Sequence, residues 1–427
     1  MQAMGHGVAI LPSAPVTVRT ADLDHEYRQD SDFFYLTGFK EPESVLVLAP
    51  NHPEHKTILF VRPRDKERET WDGRRAGTEG ALRDYGVDAA YTIDQFDAVI
   101  GTYLDNQEHL YFQLGKNKAW DERVLDLLKR YKTRARSGVK GPSTMHDPSE
   151  ILHEMRLFKS AEEIELMRKS AAIAAEAHTR AMQATRPGVY EYEIQAEIEY
   201  TFKRRGAMGP AYGSIVGGGA NGCILHYVEN DAVLKDGDLL LIDAGAEYGF
   251  YASDITRTFP VNGRFSPAQQ EVYEVVLEAQ LEALATVKPG VTFQAVHDAA
   301  VRVLTAGLVR LGILSGEVDA LIASEAYKPF YMHKTSHWLG IDTHDVGAYK
   351  LQGEWRTLQP GMVLTIEPGL YITEGQEGVD PKYWNIGIRI EDDVLVTPDG
   401  HENLTRQVPK SVEEIERLMQ TALAGAR

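Results

Sequence analysis

Acidic residues and histidines gather in the second half of this chain in a pattern that a solvated surface does not require. Asp243 closes the apolar run Leu239-Leu240-Leu241-Ile242, where a strand should be buried, and Asp254 follows within DLLLIDAGAEYGFYASDITRTF. That segment reads as a strand, a tight turn at Tyr248-Gly249 and a returning strand, since glycine supplies the positive φ of hairpin turns. With the turn so placed, Asp243 stands opposite Asp254, their Cβ atoms roughly 5 Å apart. Two solvent-facing acids are the ordinary reading of an isolated pair. Here the apolar run buries the strand, and opposed carboxylates away from water need a proton or a cation between them.

A second set follows in MVLTIEPGLY and NIGIRIEDDVLV. Alternation puts Ile386, Ile388 and Ile390 on one face and Arg389 with Glu391 on the other. Glu367 and Glu391 are expected to repeat the Asp243 and Asp254 arrangement, giving four convergent carboxylates. Two divalent cations and a bridging hydroxide would leave a single negative charge, which Arg389 can offset. His333, His337 and His344 fall within HKTSHWLGIDTH, and His226 lies in NGCILHYVEN. Such clustering before an acidic strand points to metal ligation or proton transfer rather than to lone structural histidines. Cys223 is the one cysteine, so thiolate clusters and intrachain disulfides are excluded. Oxygen and imidazole donors favour Mn²⁺, Co²⁺ or Zn²⁺ in a two-metal site.

The elements that must position these groups are duplicated. Arg186-Pro-Gly-Val recurs 102 residues later as Lys288-Pro-Gly-Val, each after a helical stretch and before another. Gly237 precedes Asp243 by six positions, as Gly361 precedes Glu367. Two half-domains related by a pseudo-twofold are implied, with Asp243 and Glu367 facing each other across a shared cleft. Ahead of them, GPSTMHDPSE is rich in turn formers, and Ser160 with Glu163 carries capping-box chemistry. The boundary is therefore expected near residue 150, giving domains 1–150 and 151–427. In the first, short apolar runs at Ser44 to Leu48 and Thr57 to Val61 alternate with turns, as in α/β domains.

Size and charge agree. The 427 residues exceed one ordinary core, and 43% apolar with 25% charged residues is a globular composition. A net charge of −18 argues against nonspecific nucleic-acid or anionic-membrane binding. The sequence has no signal-like amino-terminal segment and no apolar stretch of membrane-spanning length, so a cytoplasmic location is expected.

At these residues the chain resembles the aminopeptidase P group of the pita-bread metallopeptidases, over nearly its whole length. The resemblance is carried by NGCILHYVEN, LIDAGAEYGFYASDITRTFPVNG, SHWLGIDTHDVG, LTIEPGLYI and GIRIEDDVLVT, with YRQDSDFFYLTGF and WDGRRAG in the amino-terminal part. It implies an α+β protein: a carboxy-terminal pita-bread fold with internal duplication, preceded by a smaller α/β domain. It also implies metal ligation by Asp243, Asp254, His337, Glu367 and Glu391. His226 would contact the scissile amide nitrogen, His344 the substrate carbonyl, and His333 the proline-side pocket. Glu367 would also shuttle a proton, Arg389 and Tyr371 would support the ligands and catalysis from behind, and Tyr371 and Trp71 would be substrate contacts, packing being an equal reading for Trp71.

The implied activity is removal of an N-terminal residue ahead of a penultimate proline. The nucleophile would be a hydroxide bridging two divalent ions, Mn²⁺ first and Co²⁺ or Zn²⁺ as alternatives, in a homodimer or homotetramer. The nearest rival is a proline dipeptidase of the same fold. A methionine aminopeptidase needs no comparable amino-terminal domain, and a metal-free binding protein or creatinase-like enzyme would not need all five ligands. Lys334 and Thr335 depart from the Gly-Leu common in relatives, as Thr343 departs from a β-branched aliphatic, which bears on the pocket lining.

Overall fold

The computed structural model describes residues 1–425. It divides into two compact units, Met1–His153 and a second from Glu154 onward. In the first, strands β1 (Val8–Pro12), β2 (Val45–Leu48), β3 (Thr57–Val61), β4 (Ala89–Thr92), β5 (His109–Tyr111) and β6 (Thr144–His146) form one mixed sheet in the order β4-β3-β2-β1-β5-β6. Val45, Val47, Ile58 and Phe60 fill the core on one face, with Phe96 and Val124 from the covering helices. Leu46, Leu59 and Val61 fill the other, an alternation expected of a sheet buried on both sides.

The second unit opens with α1 (Ala161–Ala184), which starts where the capping box requires. Ser160 Oγ accepts from the Glu163 N–H at 3.3 Å, and the Glu163 carboxylate accepts from the Ser160 N–H at 2.7 Å. Each satisfies a donor that the first helical turn leaves free. After α2 (Glu191–Arg204) come β7 (Ile215–Gly218), β8 (Leu239–Asp243), the short hairpin β9 (Ala246–Tyr248) and β10 (Tyr251–Ala252), and β11 (Thr256–Pro260). The second half repeats the scheme with α3 (Pro267–Thr286), α4 (Phe293–Arg310), β12 (Val363–Ile366), β13 (Gly369–Ile372), β14 (Ile386–Arg389), β15 (Asp392–Thr397) and β16 (Gly400–Asn403). Antiparallel sheets β7-β8-β11 and β12-β15-β16 are the counterparts, each with a helix pair.

The duplication reaches backbone torsions. Gly188 and Gly290 have φ of 91° and 84°, and Gly237 and Gly361 have 88° and 91°, which only glycine adopts cheaply. The glycine turns are therefore matched stops that launch β8 and β12 toward their terminal acids.

The hairpin differs from its expected register. Tyr248 pairs with Tyr251, so the turn residues are Gly249 and Phe250, both at positive φ (59° and 74°). Asp243 consequently faces Thr256 rather than Asp254. The Phe250 ring is buried at 2% exposure, which holds an unfavourable φ in place and moves the turn by one residue. Because the resulting pairing shift is two residues, Asp254 keeps the same sheet face and remains a diagonal neighbour of Asp243. In the second half Ile366 pairs with Asp392, and one further step sets Glu367 against Glu391. The two halves thus share strands and faces but not register. Among the described residues, no helix is long and apolar enough to cross a membrane.

Candidate metal centre

Strand β8 ends on Asp243, Asp254 sits between β10 and β11, Glu367 follows β12, and Glu391 lies between β14 and β15. All four open into one cavity of about 750 Å³, together with His226, His333, His337, His344 and Arg389. Asp254, His337 and Glu391 offer ligand atoms that lie within 4.8 Å of one another. His337 Nε2 is 3.3 Å from Asp254 Oδ2 and 3.7 Å from Glu367 Oε1. Its Nδ1 lies 2.9 Å from the Trp338 carbonyl, to which it must donate, so Nε2 is the nitrogen left to face the acids.

The remaining contacts fix the carboxylates from behind. Arg389 reaches Asp243 Oδ2 at 2.7 Å, Tyr371 Oη at 2.8 Å and Thr256 Oγ1 at 3.2 Å. Thr256 donates to Glu391 Oε2 at 2.6 Å, and its carbonyl accepts from the Glu391 N–H at 3.0 Å. His333 Nε2 lies 2.8 Å from Tyr371 Oη, while the rings of His337 and His344 are 4.2 Å apart. His226 stands on an exposed turn after the short helix Gly219–Cys223.

These groups fit divalent cations. Burial, against Arg389 and reinforced by Asp254, raises the Asp243 carboxyl, and burial with neighbouring acids drives Glu391 well above the usual range. Burial also pushes Glu367 up to about 7, with His337 and Arg389 opposing. Burial disfavours a charge on His337, but the Asp254 hydrogen bond and the Glu367 charge together raise it to about 9. Protons are thus standing in for positive charge among crowded acids, and a cation would displace them. The donor set is carboxylate oxygen plus one imidazole, suited to hard or borderline ions.

Tyr371 is only 1% exposed and meets His333 and Arg389, behind the carboxylates. Trp71 lies on the short helix Lys66–Asp72 of the first unit, 82% exposed. One group was missed altogether: Tyr212 Oη lies 2.5 Å from both Asp243 Oδ1 and Asp254 Oδ1. Nothing in its spacing announces it. The pairing of Gly209–Pro210 with Ala246 and Glu247 brings its segment across the hairpin. Asp393 was visible only as part of an acidic triplet, and Asp345 is held by Arg156 and Lys159 at 2.6 and 2.9 Å beside His344.

Comparison with known proteins agrees with this geometry. Residues 165–398 match Metallopeptidase family M24, and residues 1–111 match the aminopeptidase P N-terminal domain. The chain is 49% identical to Xaa-Pro aminopeptidase of Escherichia coli (strain K12), over 97% of this chain and 94% of that one. It is 36% identical to Xaa-Pro aminopeptidase 3 of Homo sapiens, over 97% and 81%. Among solved structures, aminopeptidase PepP of Pseudomonas aeruginosa superposes with a TM-score of 0.97 at 53% identity, covering 98% and 94%. A zinc-substituted Escherichia coli aminopeptidase P in complex with product gives 0.95 at 49% identity, covering 97% and 94%. An α/β amino-terminal domain followed by a duplicated pita-bread domain is therefore the fold, and the chain belongs to metallopeptidase family M24 as a metallo-aminopeptidase of the aminopeptidase P group.

Proposed function

We propose that this enzyme removes the N-terminal residue from peptides whose second residue is proline, with two divalent cations, Mn²⁺ foremost, held by Asp243, Asp254, His337, Glu367 and Glu391. The observation that carries the reading is the convergence of these five side chains on one cavity that also holds four more histidines, His226, His297, His333 and His344. The relatives named Xaa-Pro aminopeptidase support the proline preference. When bound, the cations would supply the acidity that lets a water act as nucleophile near neutral pH, and positive charge for the oxyanion.

The chain's own residues do the rest. His344, beside His337, donates to the scissile carbonyl oxygen and steadies the charge that develops there. Glu367 accepts a proton at its carboxylate and passes it to the departing proline nitrogen. His226 meets that nitrogen from the exposed turn. An Xaa-Pro bond has no N–H to donate and a fixed ring, so recognition falls to shape. His333, braced by Tyr371, forms the proline side of the cavity. Arg389 holds Asp243 and Tyr371 in place. Residues 1–150 and 151–427 act as separate domains of a cytoplasmic homodimer or homotetramer in this reading, and Trp71 is an exposed substrate contact.

The test is cleavage by metal-stripped protein re-supplied with Mn²⁺, Co²⁺ or Zn²⁺ in turn. A tripeptide with proline second should be cut well, an Xaa-Pro dipeptide less well, and methionyl peptides lacking proline hardly at all. Preference for the dipeptide over every longer peptide would make the enzyme a proline dipeptidase instead.

A further inference from the structure

A second cavity, of about 790 Å³, abuts the catalytic one, and Gln294, His297, His333 and Lys334 line both. The other cations on the two linings are engaged. Arg389 is paired with Asp243, Arg302 with Asp319 and Lys328 with Glu325, each at 2.7 Å. Lys334 is exposed, and no carboxylate of the described residues lies within ion-pair distance of its ammonium. Glu282 and Asp298 on the second lining would repel an incoming anion, which leaves Lys334 as the one unpaired Lys or Arg among the described lining residues to attract a carboxylate.

From this arrangement we infer that Lys334 binds the C-terminal carboxylate of short substrates, making tripeptides of the form Xaa-Pro-Yaa the preferred class. The inference rests on the reading that His333 forms the proline side of the site. The chain beyond proline then runs past His333 toward its sequence neighbour Lys334. The backbone there is fixed, because His333 Nδ1 donates to the Lys334 carbonyl at 2.8 Å. Two residues beyond the scissile bond span about 7 Å when extended, so a tripeptide carboxylate arrives within the sweep of a lysine side chain seated beside His333. Longer peptides carry a neutral amide at this position and forgo the ion pair.

The experiment compares an Xaa-Pro-Yaa tripeptide with its C-terminal amide on full-length, metal-loaded enzyme. Wild type should favour the acid by roughly tenfold in kcat/KM, expressed in KM. Lys334→Met should bring the ratio toward one, and Lys334→Glu should invert it. Equal KM values in wild type, or an undiminished ratio in Lys334→Met, would overturn the inference. Calorimetric binding of the dipeptide Pro-Yaa, as acid and as amide, reads the same contact without turnover. If no proline peptide is cleaved the proposed activity fails, while an acid-over-amide binding contrast that depends on Lys334 still upholds the carboxylate site, and its absence rejects it.

Discussion

The backbone N–H of Asp254 points at the carboxylate of Asp393, 3.2 and 3.1 Å from its two oxygens, and so ties the hairpin of one half-domain to strand β15 of the other. Both residues are buried. Replacing Asp393 with leucine leaves that N–H without an acceptor, at a cost of about 1–3 kcal/mol, and frees Asp254 to drift from His337. Asp393→Leu should therefore lower the melting temperature by several degrees and reduce bound metal, while Asp393→Asn, which retains an acceptor, should do less of both. Metal analysis alongside thermal melts checks this; a leucine variant with full metal content would show that Asp254 needs no such tether.

Asp254→Asn and Glu391→Gln each remove one charge from the three-ligand group around His337. Metal content and turnover should fall together, activity by at least roughly 100-fold given that even outer partners of metal ligands cost 10–100-fold. Chelation of the wild type should have the same effect and be reversed by Mn²⁺. Turnover that survives complete stripping would refute the mechanism.

Legibility in the sequence divided along physical lines. Period-two alternation and the glycine stops were readable because they act through neighbours in the chain, and they located Asp243, Glu367 and the buried face of Ile388 and Ile390. The hairpin register was misread by two because the turn is decided by the burial of Phe250, a tertiary effect. The error did no harm to the site, since an even shift preserves the face. Tyr212 was invisible for a related reason: it reaches Asp243 and Asp254 through a strand pairing that no local pattern encodes. Histidine clustering flagged His333, His337 and His344, but could not tell their surroundings apart: Nδ1 of both His333 and His337 lies against the following residue's carbonyl, while Nε2 meets the Tyr371 hydroxyl in the first and the Asp254 carboxylate in the second.

His178 gives a pH dependence away from the catalytic cavity. Burial pushes it down to about 4, against the effect of the Ala244 carbonyl, which lies 2.9 Å from its Nε2. An unfolded chain protonates the same imidazole near pH 6.5, so between these values the unfolded state binds the extra proton. Stability from this residue is complete above the unfolded value and is lost as pH falls toward 4, on the order of 3 kcal/mol in all. In metal-free protein, where ligand protonation by metal release cannot intrude, His178→Gln should flatten the fall in urea midpoint between pH 6.5 and 4. A parallel fall in wild type and variant would assign the acid sensitivity elsewhere.

Arg389 should matter most when the cations are gone. It is 4% exposed and is, among the described residues, the one basic side chain paired with Asp243, so in stripped protein its removal leaves a buried carboxylate uncompensated. The expected cost of Arg389→Ala in that state is about 3–5 kcal/mol. With Mn²⁺ bound the ions take over the compensation, and the penalty should shrink to the lost contacts with Tyr371 and Thr256. Arg389→Lys should fall between, because an ammonium lacks the planar fork that reaches Asp243, Tyr371 and Thr256 together. Urea midpoints of wild type and both variants, with and without Mn²⁺, measure the coupling directly. If alanine costs the same in both states, the guanidinium and the metals are not sharing one field, and the electrostatic account of the centre is wrong.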